Sequence, residues 1–414
     1  MLNPARALAQ EYAMLPRGGT VLCAVSGGAD SMCLLHWLLQ GAEAGGYAVA
    51  AAHYNHRLRG AESDRDAAFV RDWCTARGVP CLLGGGDVAG EAACSGQGVE
   101  EAGRRLRYAF LRQAAEEAGA QVIATAHTAD DNGETLLLHL IRGSGLQGLT
   151  GIPPRRGVLI RPLLTTSRQE VEAYNAEHGV AWVEDATNAD PAYARNFVRL
   201  QVMPLLRELN PSLTAALSSA AASLRQDNDF LNAQAARTVS AARWAEDDLV
   251  LRADLLASLP PALGARVVQG VVERMAPDTV LSRAHRQAVL DLARGQDPSA
   301  RTDLPGGLAV QRVYGELLFT DHEERIEEMP LAMPGETAAG SARIRCVLEE
   351  LPAGEANLPD SFYLSCAKVE GGLTLRSRRA GDRLALPGRA GGKSLKKWLI
   401  DEKVPAPSCV FVRK

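Results

Sequence analysis

Val21-Leu22-Cys23-Ala24-Val25-Ser26-Gly27-Gly28-Ala29-Asp30-Ser31 is a strand running into a glycine turn and a helix. The small apolar run Val21–Val25 predicts a strand buried on both faces. Gly27-Gly28 marks a tight turn. Met32–Leu39, MCLLHWLL, predicts a buried helix. Strand, glycine turn and helix together aim backbone N–H groups at an anion. No GxxxxGK[ST] is present, so this is a different phosphate loop from that one. Asp30 next to a phosphate calls for a cation between the two negative groups, and a Mg²⁺ bridging carboxylate and phosphate would supply it. The plainer alternative is a strand–helix corner with Ser31 as N-cap.

The same alternation continues outward. Strands are predicted at Thr20–Val25, Tyr47–His53, Val79–Leu83, Gln121–Ala126 and Val158–Leu164. Helices are predicted at Ser31–Ala44, Glu62–Arg77, Glu100–Gly119, Asp131–Ile141 and Arg168–His178. Such alternation gives an α/β fold, a parallel Rossmann-like sheet covered on both faces, with ligands at the carboxyl ends of its strands. Three polar clusters occupy those ends: Ser26–Ser31, His53-Tyr54-Asn55-His56 and His127-Thr128-Ala129-Asp130. Near Asn196 the pattern changes. Phe197–Leu209 reads as helix and residues 212–297 as nearly all helix, followed by strands at Gly307–Val313 and Glu316–Phe319. The expected domains are therefore 1–208, catalytic; 209–327, mainly helical; 328–360, a linker around a strand at Arg343–Glu349; and 361–414, a small basic α+β module.

A chain of 414 residues, 46% hydrophobic, is too long for one ordinary core. No apolar run is long enough to span a membrane, and the start MLNPARALAQEYAML lacks a signal-peptide pattern, so a cytoplasmic protein is expected. Eight cysteines include no CxxC, which weighs against a zinc ribbon, an iron–sulfur site or a redox pair. Net charge is −4, but residues 371–414 carry 11 Lys+Arg against three acids. A basic end on an acidic chain is a footprint of polyanion binding.

Ser26-Gly27-Gly28-Ala29-Asp30-Ser31 resembles the SGGxDS signature of the N-type ATP pyrophosphatases, the PP-loop enzymes. Further segments are similar to those of tRNA(Ile)-lysidine synthetases. They are His53–Gly60, Arg104-Arg105-Leu106-Arg107-Tyr108, Ala126–Thr135 with Arg142–Leu146, Glu184–Asn188, Arg195–Arg199, Arg379–Arg383, Lys396-Lys397 and Asp401–Pro405. The resemblance implies a carbon–nitrogen ligase using ATP and Mg²⁺. It would adenylate O2 of the wobble cytidine in the CAU anticodon of tRNA(Ile), then join L-lysine to C2 and release AMP. Codon reading would change from AUG to AUA. Ser26, Gly27, Gly28, Ala29, Asp30 and Ser31 would bind ATP, with Asp30 and Asp130 on the metal. Asp130, Asp131, His127 and Arg104 would be catalytic. Arg195, Arg199, Arg378, Arg379, Arg383, Lys396 and Lys397 would hold tRNA. A homodimer is one assembly open to it.

Asn55, Thr128 and Asn132 depart from the family's usual Asp, His and Gln, and a C-terminal module shorter than the family's is expected. Three plainer readings compete with chemistry. Asp131 and Glu134 suit a capping box. Arg195 and Arg199 suit an ion-paired interface as well as a phosphate clamp. Gly143–Gly148 fits GxGxxG but follows a helix, so a helix C-terminal turn is favoured over dinucleotide binding. A tRNA thiolase would usually bring CxxC pairs, and a non-catalytic RNA-binding relative is the alternative from another class.

Overall fold

A computed structural model describes residues 2–57, 60–96, 98–184, 194–277, 279–298, 300–321, 328–339, 342–348, 372–377, 382–384, 393–395, 397 and 410–413. It forms two compact units, Met1–Asp229 and Phe230–Lys414.

After the short helix α1 (Asn3–Glu11), the first unit is built on β1 (Thr20–Ala24), α2 (Ala29–Gly45), β2 (Ala48–Asn55), α3 (Ala61–Thr75), β3 (Cys81–Gly85), α4 (Val88–Ser95), α5 (Val99–Glu117) and β4 (Ala120–Ala124). It continues with α6 (Ala129–Ile141), α7 (Leu146–Leu149), β5 (Arg155–Arg156), β6 (Leu159–Ile160) and α8 (Arg168–His178). The sheet order is β3-β2-β1-β4-β6-β5. All neighbours pair in parallel except β5 with β6. Its strands are apolar on both faces because both faces are covered. Val21, Cys23 and Ala51 pack with Met32, Leu35, Val70 and Val171 in one core. Leu22, Ala50, Ala52 and Ile123 pack with Leu111 and Ala114 of α5 in the other.

Strand order reverses direction between β1 and β4, which lie side by side. Connections leaving two such strands diverge to opposite sides and open a crevice at their carboxyl ends. The Ser26–Ser31 loop and the His127–Asp131 segment both emerge there, 100 residues apart in sequence.

Several elements differ from expectation. α2 starts at Ala29, two residues early, so Ser31 lies inside the first turn rather than at the cap. The strand expected over Val158–Leu164 is cut to Leu159–Ile160, and Pro162–Thr165 forms a 3₁₀ turn. Pro162 explains this, since it has no N–H for a ladder and a fixed φ. α4 and α7 went unread because each is short and weakly periodic.

Beyond α8 come α9 (Ala194–Phe197), a π-helical turn (Val198–Val202), α10 (Met203–Leu209) and α11 (Leu213–Val239). The first unit extends past residue 208 because α11 begins on α6. A methyl group on Gly133 would lie 3.0 Å from Leu217, so these helices meet closely. Arg225 of α11 donates to the Thr150 and Ile152 carbonyls at 2.8 and 3.2 Å.

In the second unit, α12 (Ala253–Ala257), α13 (Pro261–Met275) and α14 (Arg283–Arg294) fulfil the helical expectation. A five-stranded antiparallel sheet accompanies them. Its strands β7 (Arg243–Ala245), β8 (Asp248–Arg252), β9 (Arg301–Asp303), β10 (Ala309–Val313) and β11 (Glu316–Thr320) lie in the order β7-β8-β11-β10-β9. β7 and β8 fall within residues expected to be helical. Glu246 turns between them at φ 57, and Leu249 and Leu251 face the core shared with Val267, Val271 and Val289.

Between 328 and 348, β12 (Met329–Pro330) precedes the hairpin β13 (Gly335–Ala339) and β14 (Ala342–Cys346), so more strand is present than expected. β12 joins β15 (Thr374–Ser377) and β18 (Val410–Arg413) in one sheet, while β16 (Arg383–Leu384) pairs with β17 (Lys393–Ser394). Buried Arg376 holds Asp382 with two hydrogen bonds of 2.8 and 3.0 Å. Arg383 and Lys397 are exposed, as a polyanion contact requires, whereas Arg378, Arg379 and Lys396 lie outside the described residues. Among the described residues no helix is long and apolar enough to cross a membrane.

Candidate active site

Gly27 adopts φ 94, which a residue with a Cβ rarely adopts, and this turns the chain from β1 into α2. Ser31 Oγ closes the loop, accepting from the Ser26 N–H at 3.1 Å and donating to the Gly28 carbonyl at 2.9 Å. The first helical bond runs from Met32 N–H to the Gly28 carbonyl. Helix geometry leaves the N–H groups of Ala29, Asp30 and Ser31 without intrahelical acceptors, as an oxyanion cradle needs.

Asp30 sits in the first turn of α2. Burial pushes its carboxyl up to about 6, with Asp131 and Asp130 adding repulsion and Arg168 opposing them. Its Oδ1 is buried without a hydrogen-bond partner, and its Oδ2 meets Arg168 Nη1 at 3.4 Å. An under-neutralised carboxylate with an idle oxygen fits a divalent cation. Asp130 is already engaged in this arrangement. Its Oδ1 accepts from Arg207 at 2.7 Å and Thr214 at 3.1 Å, and its Oδ2 accepts from the Arg168 backbone N–H at 2.7 Å. Among the described residues no group of three His, Cys, Asp or Glu side chains converges to hold a metal. A cation on Asp30 would draw its other ligands from phosphate oxygens and water. Asp130, expected on the metal and in catalysis, ties α6 to α8, α10 and α11 in this arrangement.

Thr128, not Asp131, caps α6. Its hydroxyl accepts from the Asp131 N–H, and Asp131 Oδ2 accepts from the Thr128 N–H at 2.9 Å. The expected box of Asp131 with Glu134 is thus displaced by three residues. Glu134, 2% exposed, is held by both edges of Arg199 at 2.7 and 2.9 Å. Arg199 also donates to Asp131 Oδ1 at 2.9 Å. Arg195 donates to Thr135 Oγ1 at 2.7 Å. Of the two readings open for this pair, Arg199 takes the ion pair. The π-helical turn at Val198–Val202 rotates it onto α6.

His127 lies on the cationic side of the crevice, with Thr125 Oγ1 3.1 Å from its Nδ1. Burial lowers it to about 4; Arg161, Arg107 and Arg195 push the same way and Asp131 opposes them. Arg107 is likewise lowered by burial, as is Arg161, which is 4% exposed and donates to the Pro153 carbonyl. Arg104 and Arg107 flank the Tyr108 ring at 5.2 and 5.4 Å, and Arg107 and Arg161 both interact with its buried hydroxyl. Cations crowded into a partly dry wall are stabilised by a bound anion. Arg104 itself is exposed at the rim.

The depressed His127 predicts an acid-side loss of stability. Unfolded, it takes a proton near 6.5; folded, near 4. Its contribution is complete above 6.5 and disappears as pH falls through 4, by on the order of 2–3 kcal/mol. His127→Gln should remove that loss, so the variant's melting temperature relative to wild type rises between pH 6.5 and 4. A constant difference across that window would contradict the burial of a neutral imidazole.

The second polar cluster is mostly structural. His53, 5% exposed, donates from Nδ1 to the Val25 carbonyl. Asn55 donates to Asp64 and accepts from the Arg57 N–H, fixing a turn. Gly143, at φ 73, ends α6 as the glycine pattern predicts. Arg161, Arg168, Arg207 and Thr214 were missed by sequence reasoning. The only local signal was Ser167–Glu170, a capping box that marks the start of α8 and so brings Arg168 to a helix N-terminus.

A glycine loop closing β1, facing a second helix N-terminus across a β1/β4 switch point, defines an ATP-binding protein of the PP-loop class. A PP-loop domain model matches residues 3–206, a TilS substrate binding domain model 251–318, and a TilS substrate C-terminal domain model 373–407. The chain is 35% identical to the tRNA(Ile)-lysidine synthase of Geobacillus kaustophilus over 98% of its length, covering 90% of that protein. For the synthase of Symbiobacterium thermophilum the figures are 36%, 98% and 89%. For that of Bacillus subtilis they are 33%, 94% and 85%. The chain belongs to the tRNA(Ile)-lysidine synthase family.

Proposed function

We propose that this chain joins L-lysine to C2 of the wobble cytidine in tRNA(Ile) bearing a CAU anticodon, consuming ATP. The juxtaposition of the Ser26–Ser31 cradle with the α6 N-terminus across β1 and β4 carries the proposal. A cytosine carbonyl is a poor electrophile, and adenylation turns its oxygen into a leaving group. Cytidine O2 attacks the α-phosphorus and pyrophosphate departs. The lysine ε-amine then adds at C2, loses a proton, and AMP leaves with the oxygen. The N–H groups of Ala29–Ser31 hold the departing phosphates. Asp30 would hold Mg²⁺, which neutralises phosphate charge when bound. Arg104, Arg107 and Arg161 provide the opposite, cationic wall.

Asp131 is the carboxylate suited to the amine. Its Oδ1 accepts a single bond, from Arg199 at 2.9 Å, whereas Asp130 is tied to α10, α11 and α8 by Arg207, Thr214 and the Arg168 N–H, and Glu134 is only 2% exposed. Neutral His127 can donate or accept without adding charge. The cytidine has to leave the anticodon stack to reach the crevice. Arg383 and Lys397, with Arg378, Arg379 and Lys396, would grip tRNA phosphates, so affinity should fall with salt.

Incubating the protein with ATP, labelled lysine and unmodified tRNA(Ile) transcript should place label in the RNA, with one AMP and one pyrophosphate per lysine. RNA binding without label entering the RNA would sink the assignment.

A further inference from the structure

We propose that Arg168 is a ligand of the pyrophosphate half of ATP, held on Asp30 when no nucleotide is bound; this rests on the PP-loop reading above. The N-terminal turns of α2, α6 and α8 are bonded to one another. Arg168, the first residue of α8, gives its backbone N–H to Asp130 in the first turn of α6. Its guanidinium reaches Asp30 in the first turn of α2. A cation is misplaced at a helix N-terminus, where the backbone already presents positive charge. This one is retained among carboxylates: Glu172 takes its Nε at 3.1 Å, and Asp30 lies at 3.4 Å from Nη1.

Backbone and side chain of Arg168 are held very differently. The backbone is pinned at 2.7 Å by Asp130, itself clamped by Arg207 and Thr214. The side chain is 49% exposed, and its contact with Asp30 is long. Nη2 has no hydrogen-bond acceptor among the described residues. A guanidinium with a fixed root and an open edge, beside the Ala29–Ser31 cradle, is built to move between two anions. Its planar fork matches two phosphate oxygens. Once a cation takes Asp30, the guanidinium loses that partner and the phosphates are the nearest acceptors of like charge. The cradle holds phosphates rather than the nucleoside, so Arg168 acts on pyrophosphate and not on AMP.

Calorimetric titration of the full chain with inorganic pyrophosphate, ATP and AMP, with Mg²⁺ and without tRNA, tests this. Arg168→Gln should weaken pyrophosphate and ATP about 10–100-fold. It should leave AMP affinity and the melting temperature close to wild type. Arg168→Lys should recover part of the loss, keeping the charge without the fork. Unchanged pyrophosphate affinity in Arg168→Gln would overturn the assignment while leaving the PP-loop reading intact. Equal loss of AMP would overturn it too, making Arg168 a prop of α8. A wild-type chain binding no ATP would overturn both.

Discussion

Asp30→Asn should abolish pyrophosphate release, by about 10²–10³-fold or more, while making the nucleotide-free protein more stable. The two effects share one cause. Asp30 is a carboxylate placed where burial and two other acids oppose its ionisation, raising it from 3.8 to about 6. A carboxyl raised on folding is favourable below its unfolded value and becomes unfavourable as pH rises through its folded value. At pH 7 the ionised group therefore opposes folding by on the order of 1–3 kcal/mol. Asparagine removes that charge and keeps the shape. The variant's melting temperature should exceed wild type by several degrees at pH 7.5, by roughly 2–4 °C per kcal/mol. The advantage should shrink toward pH 4. In wild type this acts opposite to His127 over the same pH range, so the two variants are needed to separate them. Affinity for tRNA should stay unchanged in Asp30→Asn. A variant less stable at pH 7.5, or one that loses tRNA binding, would refute this account of Asp30.

Arg199→Met should give the largest loss of stability. Glu134 is 2% exposed and depends on Arg199 for both its oxygens. Removing Arg199 leaves the buried Glu134 charge with only the longer Arg195 pair at 3.9 Å, a loss of about 3–5 kcal/mol. The first unit should melt roughly 6–20 °C lower at 2–4 °C per kcal/mol. Arg199→Lys should fall between, since an ammonium cannot span both oxygens as the guanidinium does. The double variant Arg199→Met/Glu134→Leu should recover most of the loss, because it removes the stranded charge. Were Arg199 chiefly a tRNA ligand, Arg199→Met would weaken RNA binding and leave melting unchanged.

Much of the nucleotide fold was readable because its determinants are local. Apolar strands, the Gly27-Gly28 turn and the strand-end positions of His127 and Asp130 follow from residues adjacent in sequence. The β7–β8 hairpin was readable in principle from its Glu246-Asp247 turn and the Leu249/Leu251 alternation, but helical neighbours outweighed a short strand signal. The pairings around the site were not readable. Arg207 meets Asp130 across 77 positions and Arg168 meets Asp30 across 138. Nothing in the spacing of an arginine says which carboxylate it will neutralise.

The sequence by itself determined that a glycine loop would present helix N–H groups to an anion, that three polar segments would share one edge of a parallel sheet, and that the positive charge would gather at the far end of the chain. Only the tertiary structure decided which carboxylate stays available. Asp130 is tied down by Arg207, Thr214 and the Arg168 N–H, Glu134 is buried against Arg199, Asp131 Oδ1 accepts a single bond, and Asp30 keeps a buried idle oxygen. The physical reason is that backbone geometry is set within a few residues. The charge state and reach of a carboxylate depend instead on burial and on partners brought from distant helices.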